Sequence, residues 1–221
     1  MNRMLLAVRT FSPIQIFASS LENARARWRV APPSAHNADA AQATDARLVA
    51  KHLAGDPHAF EELVKRYTGA VYNIAFRFTN NAADAEHVSQ ETFLRAWHAL
   101  PRLVTNRPLK PYLLKIAVNL CRDWAEQNTV QTVDWDEQAD HLFADDGGDP
   151  LENLTDRELQ ARVRAKLQGL PPLYRTVLAL RYSEELTYEE MATALDLPLN
   201  TVRTHLHRAK ARLRELLEQD E

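Results

Sequence analysis

The sequence predicts an all-α protein: two small helical domains joined by an acidic, flexible linker, with a helix-turn-helix in the C-terminal domain. Three observations lead there. From Asp45 onward apolar residues recur at three- and four-residue spacing, and no segment sustains the alternation of a strand. Between Glu126 and Asp156 the chain has no Lys or Arg but carries Asp134, Asp136, Glu137, Asp140, Asp145, Asp146, Asp149 and Glu152, with a helix-breaking Gly147-Gly148-Asp149-Pro150. Helical spacing then resumes. With 221 residues there is room for two small cores. The divisions are 1–44, an extension expected to be disordered; 45–127, the first domain; 128–152, the linker; and 153–221, the second domain.

The first domain opens with Leu48, Val49 and Leu53, and Gly55-Asp56-Pro57 resets the chain with a capping residue followed by a helix-starting proline. Phe60, Leu63, Val64, Tyr67, Val71, Ile74, Ala75 and Phe78 then form one stripe of a long helix that Asn80-Asn81 ends. Phe93, Ala96, Trp97 and Leu100 make the next stripe, stopped by Pro101. Leu113, Ile116, Ala117, Leu120 and Trp124 make another. After the linker, Leu154, Leu159, Val163 and Leu167 restore the helical period and Leu170-Pro171-Pro172 punctuates it.

Bulk composition excludes several classes of function. The one cysteine, Cys121, can build neither a disulfide framework nor a thiolate zinc cage; it reads as a packed thiol and fits a reducing cytoplasm. No apolar run approaches the roughly 20 residues that span a bilayer, so no direct membrane insertion is expected. Five glycines leave little for phosphate-cradling loops, and there is no P-loop or nucleophile elbow, so no cofactor, small-molecule substrate or catalytic residue is expected. His205 and His207 are the densest histidine pair, but two helical residues at that spacing point about 200° apart and share no metal easily, so no metal is expected. The net charge of −3 does not itself suggest a nucleic acid; its distribution does. Residues 1–44 start Arg-rich, with Arg3, Arg9, Arg25, Arg27 and Arg29 against Glu22 before Ala31-Pro32-Pro33.

The strongest local pattern lies at 187–214. Thr187-Tyr188-Glu189-Glu190 spells a capping box, opening a helix that buries Tyr188, Met191, Ala192 and Leu195. Asp196-Leu197-Pro198 makes a tight turn, and a second helix follows with Val202, Leu206, Ala209 and Leu213 as its inner stripe. Such a pair is a helix-turn-helix, whose second helix fits a DNA major groove. No acid occurs from Thr201 to Arg214, while Arg203, His207, Arg208, Lys210, Arg212 and Arg214 do. A basic stripe of this kind suits phosphate neutralisation and base-edge reading.

Leu170-Pro171-Pro172, the run from Tyr174 to Tyr182, the run from Leu186 to Ala192 and the run from Thr201 to Ala209 together resemble region 4 of extracytoplasmic-function sigma factors of bacterial RNA polymerase, in the sigma-70 family. The first domain resembles region 2 of the same family through Gly55-Asp56, Ala59-Phe60, Arg66-Tyr67, Val71-Tyr72, Asp84-Ala85-Glu86, the run from Gln90 to Trp97, and Ile116-Ala117-Val118-Asn119 followed by Asp123. The resemblance covers about residues 45–217. It implies a non-enzymatic subunit that binds core RNA polymerase and directs promoter-specific initiation. Region 2 would hold the clamp of the largest subunit with Asp84, Glu86, Gln90, Glu91 and Arg95. It would take the −10 element with Asn106, Arg107, Lys110, Lys115, Asn119 and Arg122. Region 4 would dock on the β flap and read the −35 element with Asn200, Thr201, Arg203, Thr204, His205, His207, Arg208 and Lys210. The resemblance admits an anti-sigma factor as a further partner.

Departures from the family pattern are His87 where an aspartate is usual, Tyr112 for a tryptophan, Glu126-Gln127 for a basic pair, Asn200 for a glycine and His205 for an arginine. Two other readings compete. A helix-turn-helix repressor explains the C-terminal half but leaves residues 84–97 without a purpose. A regulator that keeps the fold but has lost one function would be marked by His87 and Glu126-Gln127.

Overall fold

The computed structural model describes residues 38–102, 108–128 and 165–218, with side chains from residue 42 onward. Among them every regular element is helical. The N-terminal four helices are α1 (Ala38–Leu53), α2 (Pro57–Thr79), α3 (Ala82–Ala99, followed by a 3-10 turn at Leu100–Arg102) and α4 (Leu109–Gln127). The C-terminal three are α5 (Pro172–Leu178), α6 (Tyr188–Leu195) and α7 (Leu199–Glu218). A π turn at Ala179–Ser183 extends α5. The first helix starts at Ala38, seven residues before the boundary read from the apolar pattern, because an Ala-rich first turn is helical without contributing large apolar groups. The rest of the extension, and the acidic linker beyond Asn128, lie outside the described residues.

Local sequence explains the joints. Asp56 caps α2 by accepting the His58 N–H at 3.0 Å, with Pro57 in the first turn. Gly55 before it has φ +97, which only glycine adopts freely. Asn80 ends α2 in the left-handed region, and Asn81 caps α3 by accepting the N–H groups of Ala83 and Asp84. The predicted stripe of α2 is buried throughout, and α1, α3 and α4 pack against that helix. Asp45 ties α1 to α2: its carboxylate accepts from Arg66 Nη1 at 2.6 Å and from the Tyr67 hydroxyl. Burial raises the Asp45 pKa, against the lowering pull of Tyr67 and Arg66, and burial beside that carboxylate raises the tyrosine's. Cys121 is fully buried, and burial raises its pKa, as befits a packed thiol. Phe60 and His52 both pack edge-on or tilted around Trp97, and Trp124 meets Phe78 edge-on, so both tryptophans are structural.

The two domains do not stand apart. A continuous buried apolar cluster runs from Leu48 to Leu213, with α6 lying on α4 and α5 lying on α2. No pattern in the sequence announces this docking. Its polar seam is described below.

Candidate nucleic-acid interface

The capping box at Thr187 is formed as written in the sequence: Thr187 Oγ1 accepts the Glu190 N–H at 3.2 Å, and Glu190 Oε2 accepts the Thr187 N–H at 2.9 Å. Asp196 closes α6 in the left-handed region, and Leu199 begins α7. That turn sets the second helix across α6, the geometry of a helix-turn-helix. On α7, Val202, Leu206, Ala209 and Leu213 are buried as expected.

The outward face is narrower than the sequence suggested. Asn200, Arg203, His207, Lys210 and Arg214 fall within an arc of about 80° at helical spacing. Arg203, Asn200 and Arg214 are exposed, and His207 and Lys210 half-buried. Arg208 lies around the other flank. Three residues expected to contact DNA are instead interior: Thr201, Thr204 and His205 are buried, His205 at 0% exposure. For His205 the cause is packing on one flank of the helix. Tyr174 of α5 lies tilted on His205 with ring centroids 6.5 Å apart, and Thr204 turns its hydroxyl back to the Asn200 carbonyl at 3.0 Å. A polar side chain in the first turns of this helix is therefore no guide to exposure.

Tyr188 is a residue the sequence reading placed only in the core. It is half-buried, and the Arg181 and Arg203 guanidinium groups lie 5.4 Å and 5.6 Å from its ring centroid. Cation–π attraction to the ring steadies Arg203 at the start of the outward arc. The signal was present in the spacing, since Tyr188 is the first residue of the helix that α7 crosses.

On the first domain, α3 buries Ala85, Val88, Ser89, Thr92, Phe93 and Ala96 and turns Gln90 and Arg95 to solvent, with Asp84, Glu86 and Glu91 half-buried. Arg95 Nε donates to Glu91 at 2.8 Å. Leu94, on the same outer face, is 41% exposed, an unpartnered apolar side chain among these charges. His87, one of the departures from the family pattern, is exposed there too. Of the predicted −10 residues, Asn106 and Arg107 lie outside the described residues. Lys115, Asn119 and Arg122 fall within an arc of about 60° on α4, whereas Lys110, in the first turn, lies about 120° or more around the helix from them; all four are half-buried. Lys110 Nζ donates to the Glu184 carbonyl at 2.8 Å and pairs with its carboxylate at 3.0 Å. Lys115 Nζ meets Asp196 at 2.8 Å, and Arg122 donates to the Leu195 carbonyl at 2.6 Å. Among the described residues no cluster of three or more His, Cys, Asp or Glu is placed to hold a metal, and no helix is long and apolar enough to cross a membrane.

Comparison with known proteins gives this arrangement its family. Residues 63–130 match the model of Sigma-70 region 2, and residues 160–213 that of Sigma-70, region 4. The chain is 31% identical over 171 residues to the ECF RNA polymerase sigma factor SigW of Bacillus subtilis, covering 74% of this chain and 91% of that one. It belongs to the extracytoplasmic-function sigma factors. This sigma factor is also 30% identical over 184 residues to the RNA polymerase sigma-H factor of Pseudomonas aeruginosa, covering 80% and 95% of the two chains. Among solved structures it is similar to CnrH, determined in complex with the cytosolic domain of CnrY: TM-score 0.59, 28% identity, 80% of this chain and 99% of that one. The fold is shared with the sigma factor RpoE from Bartonella quintana, determined with the anti-sigma factor NepR: TM-score 0.51, 21% identity, 73% and 98% coverage. As a member of the family, the sigma factor binds core RNA polymerase and promoter DNA and directs promoter-specific transcription initiation. The region 2 match takes in most of α2 with all of α3 and α4, and the region 4 match takes in α5, α6 and most of α7.

Proposed function

We propose that the work divides by surface. The outer face of α3, with Asp84, Glu86, Gln90, Glu91, Arg95 and the exposed Leu94, holds the polymerase clamp. Lys110, Lys115, Asn119 and Arg122 of α4, with Asn106 and Arg107 ahead of them, take the −10 element. The outward arc of α7 reads the −35 element, with Arg203, His207 and Lys210 toward the bases and Arg208 toward phosphate, while region 4 docks on the β flap. The protein contributes binding and positioning, not a chemical step of its own. The observation that carries this reading is the arc on α7: basic donors on one narrow face of the second helix of a capped helix-turn-helix, with no acid between Thr201 and Arg214.

Reconstituted transcription is the test. With core polymerase the chain should start transcripts from a defined promoter, and alone it should bind promoter duplex weakly. Asp84→Lys combined with Glu91→Lys should weaken association with core while leaving the melting curve close to that of the unaltered chain. Undiminished affinity for core would move the clamp surface elsewhere on region 2. Tight sequence-specific duplex binding without polymerase, and no transcript with it, would instead make the protein a repressor. An anti-sigma partner is part of the same proposal, supported by CnrH having been determined in complex with the cytosolic domain of CnrY and RpoE with the anti-sigma factor NepR.

A further inference from the structure

Arg203 opens the outward arc of α7, exposed and at the end of the helix that enters a groove in helix-turn-helix docking. A long side chain in that place samples many rotamers, and one that wanders grips phosphate as readily as a base edge. Among the described residues its one partner is the Tyr188 ring, whose centroid lies 5.6 Å from the guanidinium carbon. The kind of partner matters. A carboxylate would occupy the N–H donors and set a negative charge where DNA has to approach. An aromatic face attracts the cation without taking an N–H into a hydrogen bond, so the donors stay available for a bidentate pairing with a base.

The ring is itself held by two separate devices. Tyr188 is the first residue of α6, and the reciprocal bonds of Thr187 and Glu190 fix its backbone. Arg181, in the π turn, brings a second guanidinium to 5.4 Å from the same centroid, and its Nη1 donates to the Leu186 carbonyl at 2.9 Å. Leu186 is buried, so that anchor belongs to the core. The two arginines therefore differ: Arg181 is tied to the backbone, and Arg203 is held by the ring alone. We propose that Tyr188 is a positioning residue for −35 selectivity, a fixed post that holds Arg203 ready to read a base and need not touch the base itself. The proposal rests on the assignment of Arg203 to base reading. Ordering the guanidinium in advance removes the ordering cost from the matched base contact, whereas a loose guanidinium favours every promoter alike through phosphate. Tyr188 thus governs discrimination more than total binding, and it does so from α6, outside the helix that carries the reading residues.

The test is initiation by the full chain with core polymerase, on promoters substituted singly in the −35 element and well below the melting transition. Arg203→Ala first identifies the positions that this arginine reads. Tyr188→Leu keeps apolar bulk but has no aromatic face, and should lower discrimination at those same positions about two- to fivefold, the worth of one exposed cation–π contact. Ranking at the other −35 positions should be unchanged. Tyr188→Phe keeps the face and lacks only the hydroxyl, and should retain the discrimination of the unaltered chain. Added to Arg203→Ala, Tyr188→Leu should lower discrimination no further, because the two changes remove one and the same interaction. Full discrimination in Tyr188→Leu, a fall equal at every −35 position, additive losses in the double variant, or an equal loss in Tyr188→Phe would each overturn the proposal. Should any of these accompany a relaxed preference in Arg203→Ala, the base-reading role of Arg203 still stands. Unaltered −35 preference in Arg203→Ala would refute that role and the proposal together.

Discussion

Replacing His205 by alanine separates a residue that reads DNA from one that holds the reading helix in place. The imidazole is fully buried on the flank of α7, beside Tyr174 of α5, and is among the largest side chains wholly removed from solvent. Truncation leaves a cavity that neither helix can close without shifting. Large-to-small changes at such sites cost about 2–5 kcal/mol, and for a ring smaller than phenylalanine about 2–3 kcal/mol is expected. At about 2–4 °C per kcal/mol for a chain of this size, the melting temperature should fall by about 4–12 °C. Calorimetry or circular dichroism reads that directly. The companion assay measures initiation, with polymerase and well below the melting transition, from a panel of promoters substituted singly in the −35 element. The order of preference among those promoters should be unchanged, because the outward arc of α7 is intact. An unchanged melting temperature together with an altered −35 preference would refute the reasoning and return His205 to the DNA surface.

Three further outcomes are expected. Arg203→Ala should relax preference at one or two −35 positions, with a loss of about 1–3 kcal/mol, whereas Arg208→Ala should weaken all promoters alike and reduce the salt dependence by about one phosphate contact; identical behaviour of the two variants on every promoter would show the division of roles to be wrong. Thr187→Ala should cost about 1 kcal/mol in a denaturant melt by removing the cap of α6, and a glycine there should cost less than alanine. Burial lowers the His52 pKa, so the unfolded chain takes up its proton first as pH falls. The stability tied to a neutral His52 is therefore complete above about pH 6.5 and lost as pH falls through the lower folded value; His52→Phe should remove that part of the acid sensitivity, measured as the slope of melting temperature against pH.

Much of the fold was legible because helical period and capping chemistry are local. The α2 stripe from Phe60 to Phe78, the Asp56-Pro57 start, the Asn80-Asn81 corner and the Thr187 capping box all act within a few residues and appear as written. The outward face of α3, proposed to hold the clamp, follows from the same period. Two things were not legible. Burial of His205 depends on Tyr174 of α5 reaching the flank of α7, and polar residues such as Thr201, Thr204 and His205 carry no mark of whether they are covered. Domain docking depends on single side chains meeting across long stretches of sequence, such as Lys110 with Glu184 and Arg175 with Arg77. Nothing in the periodicity of either partner encodes the other. The first helix was read as starting too late because alanines at 38, 40 and 41 leave no apolar stripe to count.

The π turn at Ala179–Ser183 settles the phase between two anchors that lie nine residues apart. In an unbroken α-helix Arg175 and Glu184 would point about 180° from one another, and only one could face region 2. The wide turn sets aside roughly one residue, which brings the two to within about 80° and lets both reach the same neighbour. A change of a single residue in the length of this segment would therefore alter domain docking while leaving the helix-turn-helix downstream unaltered. In a protein of this architecture, the length of five residues governs whether the two halves can clasp at all.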